Sequence, residues 1–267
     1  MAARGTPPLP SAPPAATPVG AAPLPRIGSL EDRGVARRDA VHALTWTVSG
    51  SARVLGNVDV GSGRTDGAVT VGGTLAADRF RADGSLEVSG ALRIAETLEV
   101  RGTLRTLAAV RAGDLVLGGT THAMATLVAD RVLRFQGSLA APSLRAGAVE
   151  GRGAMEVPGD IEAWRVAVDL SAASHLGTVR AHIAQLHSKV PNPVEKVLGR
   201  EVLVTIDRVE ADEVELIGVD VGYVRSPQVT LGRGCHVTTV EGTIVAQHAS
   251  ADVGPRSKSP PPHGLRR

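Results

Sequence analysis

Rings are nearly absent from this chain. Only 2% of its 267 residues are aromatic, namely Trp46, Phe80, Phe135, Trp164 and Tyr223. Most enzyme pockets are lined by aromatic and apolar side chains, so the scarcity argues against an ordinary catalytic cleft. It argues equally against nucleic-acid modules that stack bases on aromatic platforms. Cysteine is almost absent too. Cys235 stands alone, which rules out an intramolecular disulfide and fits a reducing cytoplasm. Lysine occurs only at Lys189, Lys196 and Lys258, so nearly all the basic charge is arginine. The net charge of +2 implies no polyanionic partner, and no nucleic-acid binding is expected. What the chain has instead is 43% hydrophobic residues, nearly all Val, Leu, Ile and Ala, and 31 glycines. That composition suits a narrow core of aliphatic side chains.

Proline sets the outer boundaries. Of 17 prolines, eight lie in residues 7–25 and four in 255–262. Residues 1–40 are therefore expected to be a disordered Ala/Pro-rich arm, and residues 248–267 a disordered basic, Pro-rich tail. The uncharged stretch from Gly5 to Pro25 holds too many prolines for a membrane-spanning helix or the apolar core of a signal peptide. No lipidation motif follows Met1-Ala2-Ala3. Pro7-Pro8-Leu9-Pro10 has the form of a polyproline ligand, although a solvated linker explains it as well.

Between the tails the sequence repeats. Every sixth residue from Phe80 is large and apolar: Phe80, Leu86, Leu92, Leu98, Leu104, Val110 and Val116. Two positions later Val88, Ile94 and Val100 follow the same step, and charged residues such as Glu87, Arg93, Glu99 and Arg105 lie between. Gly84, Gly90 and Gly102 precede the units. Apolar-charged-apolar is a three-residue strand with in-out-in alternation. Six residues is out of phase with a helix of 3.6 residues per turn. A corner after each short strand does satisfy the step. Three strands and three corners then close a coil of about 18 residues, stacked at about 4.8 Å on the next. Leu86 should lie beneath Leu104, Leu92 beneath Val110, and Phe80 beneath Leu98. Further on, Val204, Val209, Val214, Val219, Val224 and Val229 recur at a step of five. These valines join the hexad residues in one expected core ladder.

The expected architecture is all-β, a parallel β-helix or β-solenoid in two blocks, residues 41–168 and 203–247. Residues 169–202 break the repeat. Leu176, Val179, Ile183, Leu186 and Val190 sit three or four apart, which predicts a short amphipathic helix ended by Pro191 and Pro193. That segment is expected to be a helical or irregular insertion.

A search for chemistry returns little. Gly61-Ser62-Gly63 and Gly72-Gly73 have the form of corners more than of phosphate cradles. His182 and His187 are wrongly spaced for one helix face, and neither completes a zinc set, so no metal or cofactor is expected. Cys235 beside His236 invites a nucleophile reading, but no acid or oxyanion partner accompanies it. Asp212, Glu213 and Glu215 are assigned by the alternation to an outward face.

The block Ile206-Asp-Arg-Val209-Glu210-Ala211-Asp212-Glu213-Val214-Glu215-Leu216, followed by Val224-Arg225 and by Val229-Thr230-Leu231-Gly232-Arg233-Gly234-Cys235-His236-Val237, resembles the C-terminal coils of bactofilin-type polymer-forming proteins. Leu86 to Leu104 resembles their Gly-rich N-terminal coils. The resemblance implies a right-handed β-helix and a non-enzymatic bacterial cytoskeletal scaffold. It also implies homopolymers formed head to tail without nucleotide, in the cytoplasm or at the inner face of the cell membrane. Cargo proteins would be held by the surface and the Pro-rich tails. Nothing in residues 1–25 matches the membrane-targeting segment of some members. The alternative is a hexapeptide-repeat acyltransferase, a left-handed β-helix with the same step of six, for which His122 is the one histidine in the hexad block. A solenoid's two open ends expose unpaired strand edges. The expected polymerisation faces are Val54, Val58 and Val60 at one end and Val237, Val240 and Ile244 at the other.

Overall fold

The computed structural model describes residues 28–189 and 204–255. Among them every regular element is a β-strand, and every pairing between strands is parallel. The first six strands are β1 (Ser29–Arg38), β2 (Val41–Val54), β3 (Val58–Thr65), β4 (Ala68–Val71), β5 (Leu75–Ala82) and β6 (Ser85–Val88), of which β3 to β6 are short. Strands of 14 residues or more follow and bend around corners: β7 (Leu92–Thr106), β8 (Val110–Ala123), β9 (Leu127–Ala140), β10 (Leu144–Leu170) and β11 (Ser174–Ser188). The last are β12 (Val204–Ile217), β13 (Asp220–Leu231), β14 (His236–Gln247) and β15 (Asp252–Val253). All 15 belong to one continuous sheet wound into a β-solenoid of about 12 turns.

The core follows from the alternation. Val41, Val58, Leu75, Leu92, Val110, Leu127 and Leu144 stack in one ladder. Ala52, Val69, Leu86 and Leu104 form a second. Leu86 lies beneath Leu104, Leu92 beneath Val110, and Phe80 beneath Leu98, as the hexad predicts. Glu87 faces Arg105 on the outside. The valines at a step of five are all buried, with Val209 beneath Val224 and Val214 beneath Val229. Coils here recur after 15 residues, shorter than in the N-terminal half, where the same ladder position recurs after 16 to 18 residues.

Four expectations are corrected. Val116 is not in the ladder. Opposite Ala95 and Glu96 the next coil places the single residue Gly113, so the chain gains one position on its neighbour. Leu115 therefore stacks on Leu98, and Val116 faces outward beside Glu99. Nor is the segment after Asp169 a helix. Ser174–Ser188 is strand β11, paired with β10 and β12, which joins the two expected blocks into one solenoid. Steps of two along a strand and of three or more across a corner imitate helical spacing when averaged. The register from β11 to β12 jumps 30 residues, from Leu176 to Ile206. Val190, Pro191 and Pro193 lie outside the described residues. The expected arm of residues 1–40 also ends earlier, because residues 29–38 form β1; residues 1–27 lie outside the described part. Finally, the expected tail at 248–267 contributes β15 before residues 256–267 pass outside the described part.

One corner is built from glycine. Gly34, Gly50, Gly67, Gly84, Gly102, Gly119, Gly137 and Gly153 stand one above another, and a Cβ on any of the last seven would strike the carbonyl oxygen of the glycine before it. Several hold positive φ, including Gly119 at 108°. Only glycine lets successive backbones approach this closely in that conformation.

The outer surface is charged and internally compensated. Arg131 reaches Asp114 at 2.7 Å, Arg145 reaches Glu162 at 2.7 Å, and Arg111 reaches Asp130 at 3.0 Å. Each links adjacent coils. Being exposed, each adds little to stability. Their main effect is to keep lateral faces soluble.

Candidate functional site: the two ends of the solenoid

At the N-terminal end β1 pairs with β2. Its inward positions Leu30, Asp32, Ala36 and Arg38 lie over Trp46, Val48, Ala52 and Val54. Two of the four carry charge. Asp32 is 5% exposed and accepts bonds from Arg38 Nε at 3.0 Å and Nη2 at 2.5 Å, and from the Trp46 indole N–H at 2.9 Å. An ion pair thus lies across the end of the apolar bore, one of the known ways of blunting a sheet edge.

The Arg38 hydrogen bonds hold the Asp32 carboxyl below the usual carboxylate range, and the Trp46 N–H adds to this against the opposing effect of burial. Its folded-state value lies below its unfolded one of about 3.9. The linked stability is therefore present above about pH 4 and is lost as pH falls through the lower, folded-state value. Asp32→Asn is expected to cost about 1–3 kcal/mol at neutral pH, because it leaves Arg38 without its carboxylate. In thermal melts against pH the gap between variant and parent should close below pH 4. A constant gap would show that the charge of Asp32 is not what matters.

The C-terminal end is different. β14 pairs with β13 along its length, but β15 covers it only at His236 and Val237. Val240 and Ile244, which continue the ladders of Val224 and Val229, are half-buried and have no further coil above them among the described residues. Val245 and Val253 are exposed nearby. This end is an apolar rung beside an unpaired strand edge.

The expected end-face residues therefore divide. Val240 and Ile244 lie on the terminal coil. Val237 is adjacent but buried beneath Val253. Val54, Val58 and Val60 lie inside the body: Val54 between Arg38 and Val71, Val58 between Val41 and Leu75, Val60 between Ala43 and Ala77. The N-terminal face belongs to β1, which sequence reasoning assigned to the arm. The signal was there in Gly34, which precedes Gly50 at the coil spacing.

The chemical candidates scatter. Cys235 is buried, and burial raises its thiol pKa against smaller opposing backbone hydrogen bonds. Its side chain approaches the Arg233 carbonyl at 4.0 Å, while His236 Nδ1 faces Asp252 at 3.5 Å. A thiol with a raised pKa is a poor nucleophile. Native protein should react slowly with iodoacetamide and at once when unfolded in urea; fast native labelling would mean that the end around Cys235 opens. His122 points outward between Arg105 and Ala140. His182 Nδ1 meets Asp212 at 2.5 Å, and His187 lies between Asp169 at 3.7 Å and Glu215 at 3.5 Å. Asp212 and Glu213 are exposed and Glu215 is half-buried. Among the described residues no three His, Cys, Asp or Glu side chains converge as metal ligands, and no helix is long and apolar enough to cross a membrane.

Compared with known proteins, the chain matches no family model, no curated protein and no solved structure.

Proposed function

We propose that this protein is a polymer-forming scaffold of the bactofilin kind. It assembles end to end in the bacterial cytoplasm without nucleotide and holds other proteins along its surface and tails. The observation that carries the reading is the apolar rung of Val240 and Ile244, which no further coil covers among the described residues, at the edge of β14. A second copy supplies both things this end lacks, strand partners and apolar cover.

The unlike ends favour like-to-like joining. Pressing the Asp32–Arg38 pair against Val240 and Ile244 would desolvate charge against aliphatic groups, which is costly. Two C-terminal ends meeting about a two-fold axis cover each other's apolar rung. The charged N-terminal ends then make the weaker, salt-sensitive contact that lengthens the rods.

Negative-stain microscopy of the purified chain without nucleotide tests this. Rods or filaments are the expected result. Ile244→Asp should reduce them, by light scattering, to monomers at high salt and at most to dimers joined through their N-terminal ends at low salt, while leaving the β-sheet circular dichroism unchanged. A parent protein that stays monomeric across concentration and salt would end the proposal. Uniform trimers that bind an acyl thioester would replace it with the acyltransferase reading.

A further inference from the structure

Three corners separate the faces of the N-terminal coils, and one of them is apolar. The glycine column forms the first. Around the second the charged side chains are paired, Arg79 with Glu96 and Arg131 with Asp114. The third follows the inward ladder Val54, Val71, Val88, Thr106 and Ala123. Its leading residues are Leu55, Gly72, Ser89, Leu107 and Met124. Leu55, Leu107 and Met124 are 43%, 62% and 60% exposed. Large apolar side chains facing water are scattered elsewhere among the described residues; here three stand in one line along the axis. From Leu55 to Met124 is four coils, about 19 Å at strand spacing. An apolar line of this kind on an otherwise charged surface marks a contact site.

Cations flank the line on both sides. The two adjoining faces carry Arg53, Arg93, Arg105 and Arg111 outward over these coils, against Glu87 and Asp59. Arg111 is held by Asp130. Among the described residues Arg53, Arg93 and Arg105 have no ion-pair partner, and Glu87, in register with Arg105, does not close a pair with it. Elsewhere on the body Arg81, Arg134 and Arg152 are each paired. Unneutralised guanidinium groups are therefore gathered beside the one apolar corner.

We propose that this corner seats the rod lengthwise on a bilayer of anionic lipid. A protruding line of side chains has no walls to enclose the anchor residues of a folded partner, whereas a fluid headgroup layer yields around it. Leu107 and Met124, on adjacent coils, enter the boundary between headgroups and acyl chains, and Leu55 makes a second contact further along. Arg53, Arg93 and Arg105 stay at the level of the lipid phosphates, which they reach on long flexible stems. Rods joined end to end repeat the contact along one line, but the seating itself does not depend on assembly.

Cosedimentation with vesicles tests this. Phosphatidylcholine alone is compared with phosphatidylcholine and phosphatidylglycerol in equal parts. The protein should bind the second and not the first, and should be released at about 1 M salt, where the screening length falls to about 3 Å. Leu107→Ser with Met124→Ser should weaken binding by about tenfold or more. Arg93→Gln with Arg105→Gln should do the same, while Arg152→Gln, on another face, should bind as the parent does. Melting curves show that each variant folds. A polarity-sensitive dye on Met124→Cys should shift to the blue on anionic vesicles, and one on Ser138→Cys, at the glycine corner, should not. Ile244→Asp should still bind, so loss of assembly and loss of seating are read separately. A parent protein that ignores anionic vesicles would overturn the proposal and leave the line to a protein partner. Equal binding by the parent and the Leu107→Ser, Met124→Ser variant would also overturn it, by placing the attraction in basic residues elsewhere in the chain.

Discussion

Gly119→Ala should lower the melting temperature by roughly 6–12 °C, although it adds a single methyl group at the surface of the coil. Two costs combine. Gly119 holds φ at 108°, a region that L-residues enter at about 1–3 kcal/mol. Its new Cβ would also strike the carbonyl oxygen of Gly102. That oxygen belongs to the backbone of the coil beneath and cannot swing aside as a side chain would. The sum is about 3 kcal/mol, and each kcal/mol shifts a domain of this size by about 2–4 °C. Gly118 supplies the control. A Cβ there would meet Val100 O at 3.6 Å, an ordinary contact, and Gly118 has no positive φ. Gly118→Ala should therefore melt with the parent. Equal melting of the two variants would show that the glycine column is not a packing constraint. Because coils contact only their neighbours, the damage should also be local. Hydrogen exchange should quicken first in β7, β8 and β9, on either side of the altered corner.

The same glycines explain what could be read in advance. The hexad was visible because inward Leu and Val repeat where the coil keeps one length, from Phe80 to Val110. It failed at Val116, where Gly113 shortens the coil by one residue and moves every later position. A step of six contains no information about such a deletion, whereas the longer spacing from Gly102 to Gly119 does. The inward pattern of β11 imitates a helix for a related reason. Leu176, Val179 and Leu186 are inward on strand segments separated by a corner, and a corner can make a strand pattern look helical. The N-terminal face was hidden by composition: β1 has only Leu30 and Ala36 to mark its inward side, because Asp32 and Arg38 occupy the other two positions. A polar cap necessarily lacks the hydrophobic pattern that reveals the coils it closes. The C-terminal face is legible because Val240 and Ile244 continue the apolar pattern to the last coil that β13 pairs with. Trp164 is one of five rings in the sequence, but its contact with His182, 3.8 Å between ring centroids, comes from another coil and depends on the register.

Phe80 and Gly63 form one packing unit, and a double substitution should expose the coupling. Trp46, Gly63 and Phe80 occupy the same position in three successive coils. The glycine between them leaves a rung empty, and the rings lean into it to a centroid separation of 6.4 Å at 55°. A Cβ at Gly63 would enter the Phe80 ring. Phe80→Ala should cost about 3–5 kcal/mol, the usual penalty for emptying a buried aromatic site. Gly63→Ala alone should cost about 1–3 kcal/mol by overpacking. Leucine is what later coils carry at this position, at Leu98, Leu115 and Leu133. Gly63→Ala combined with Phe80→Leu therefore restores an ordinary aliphatic rung. The pair should lose less than the sum of its single changes, by about 0.5–3 kcal/mol in a denaturant double-mutant cycle. Strict additivity would mean that the ring does not use the space above Gly63. Gly151 stands to Phe135 as Gly63 stands to Phe80, so the cycle can be repeated there. The scarcity of rings fits the same packing: both buried phenylalanines, Phe80 and Phe135, lie against a glycine of an adjacent coil.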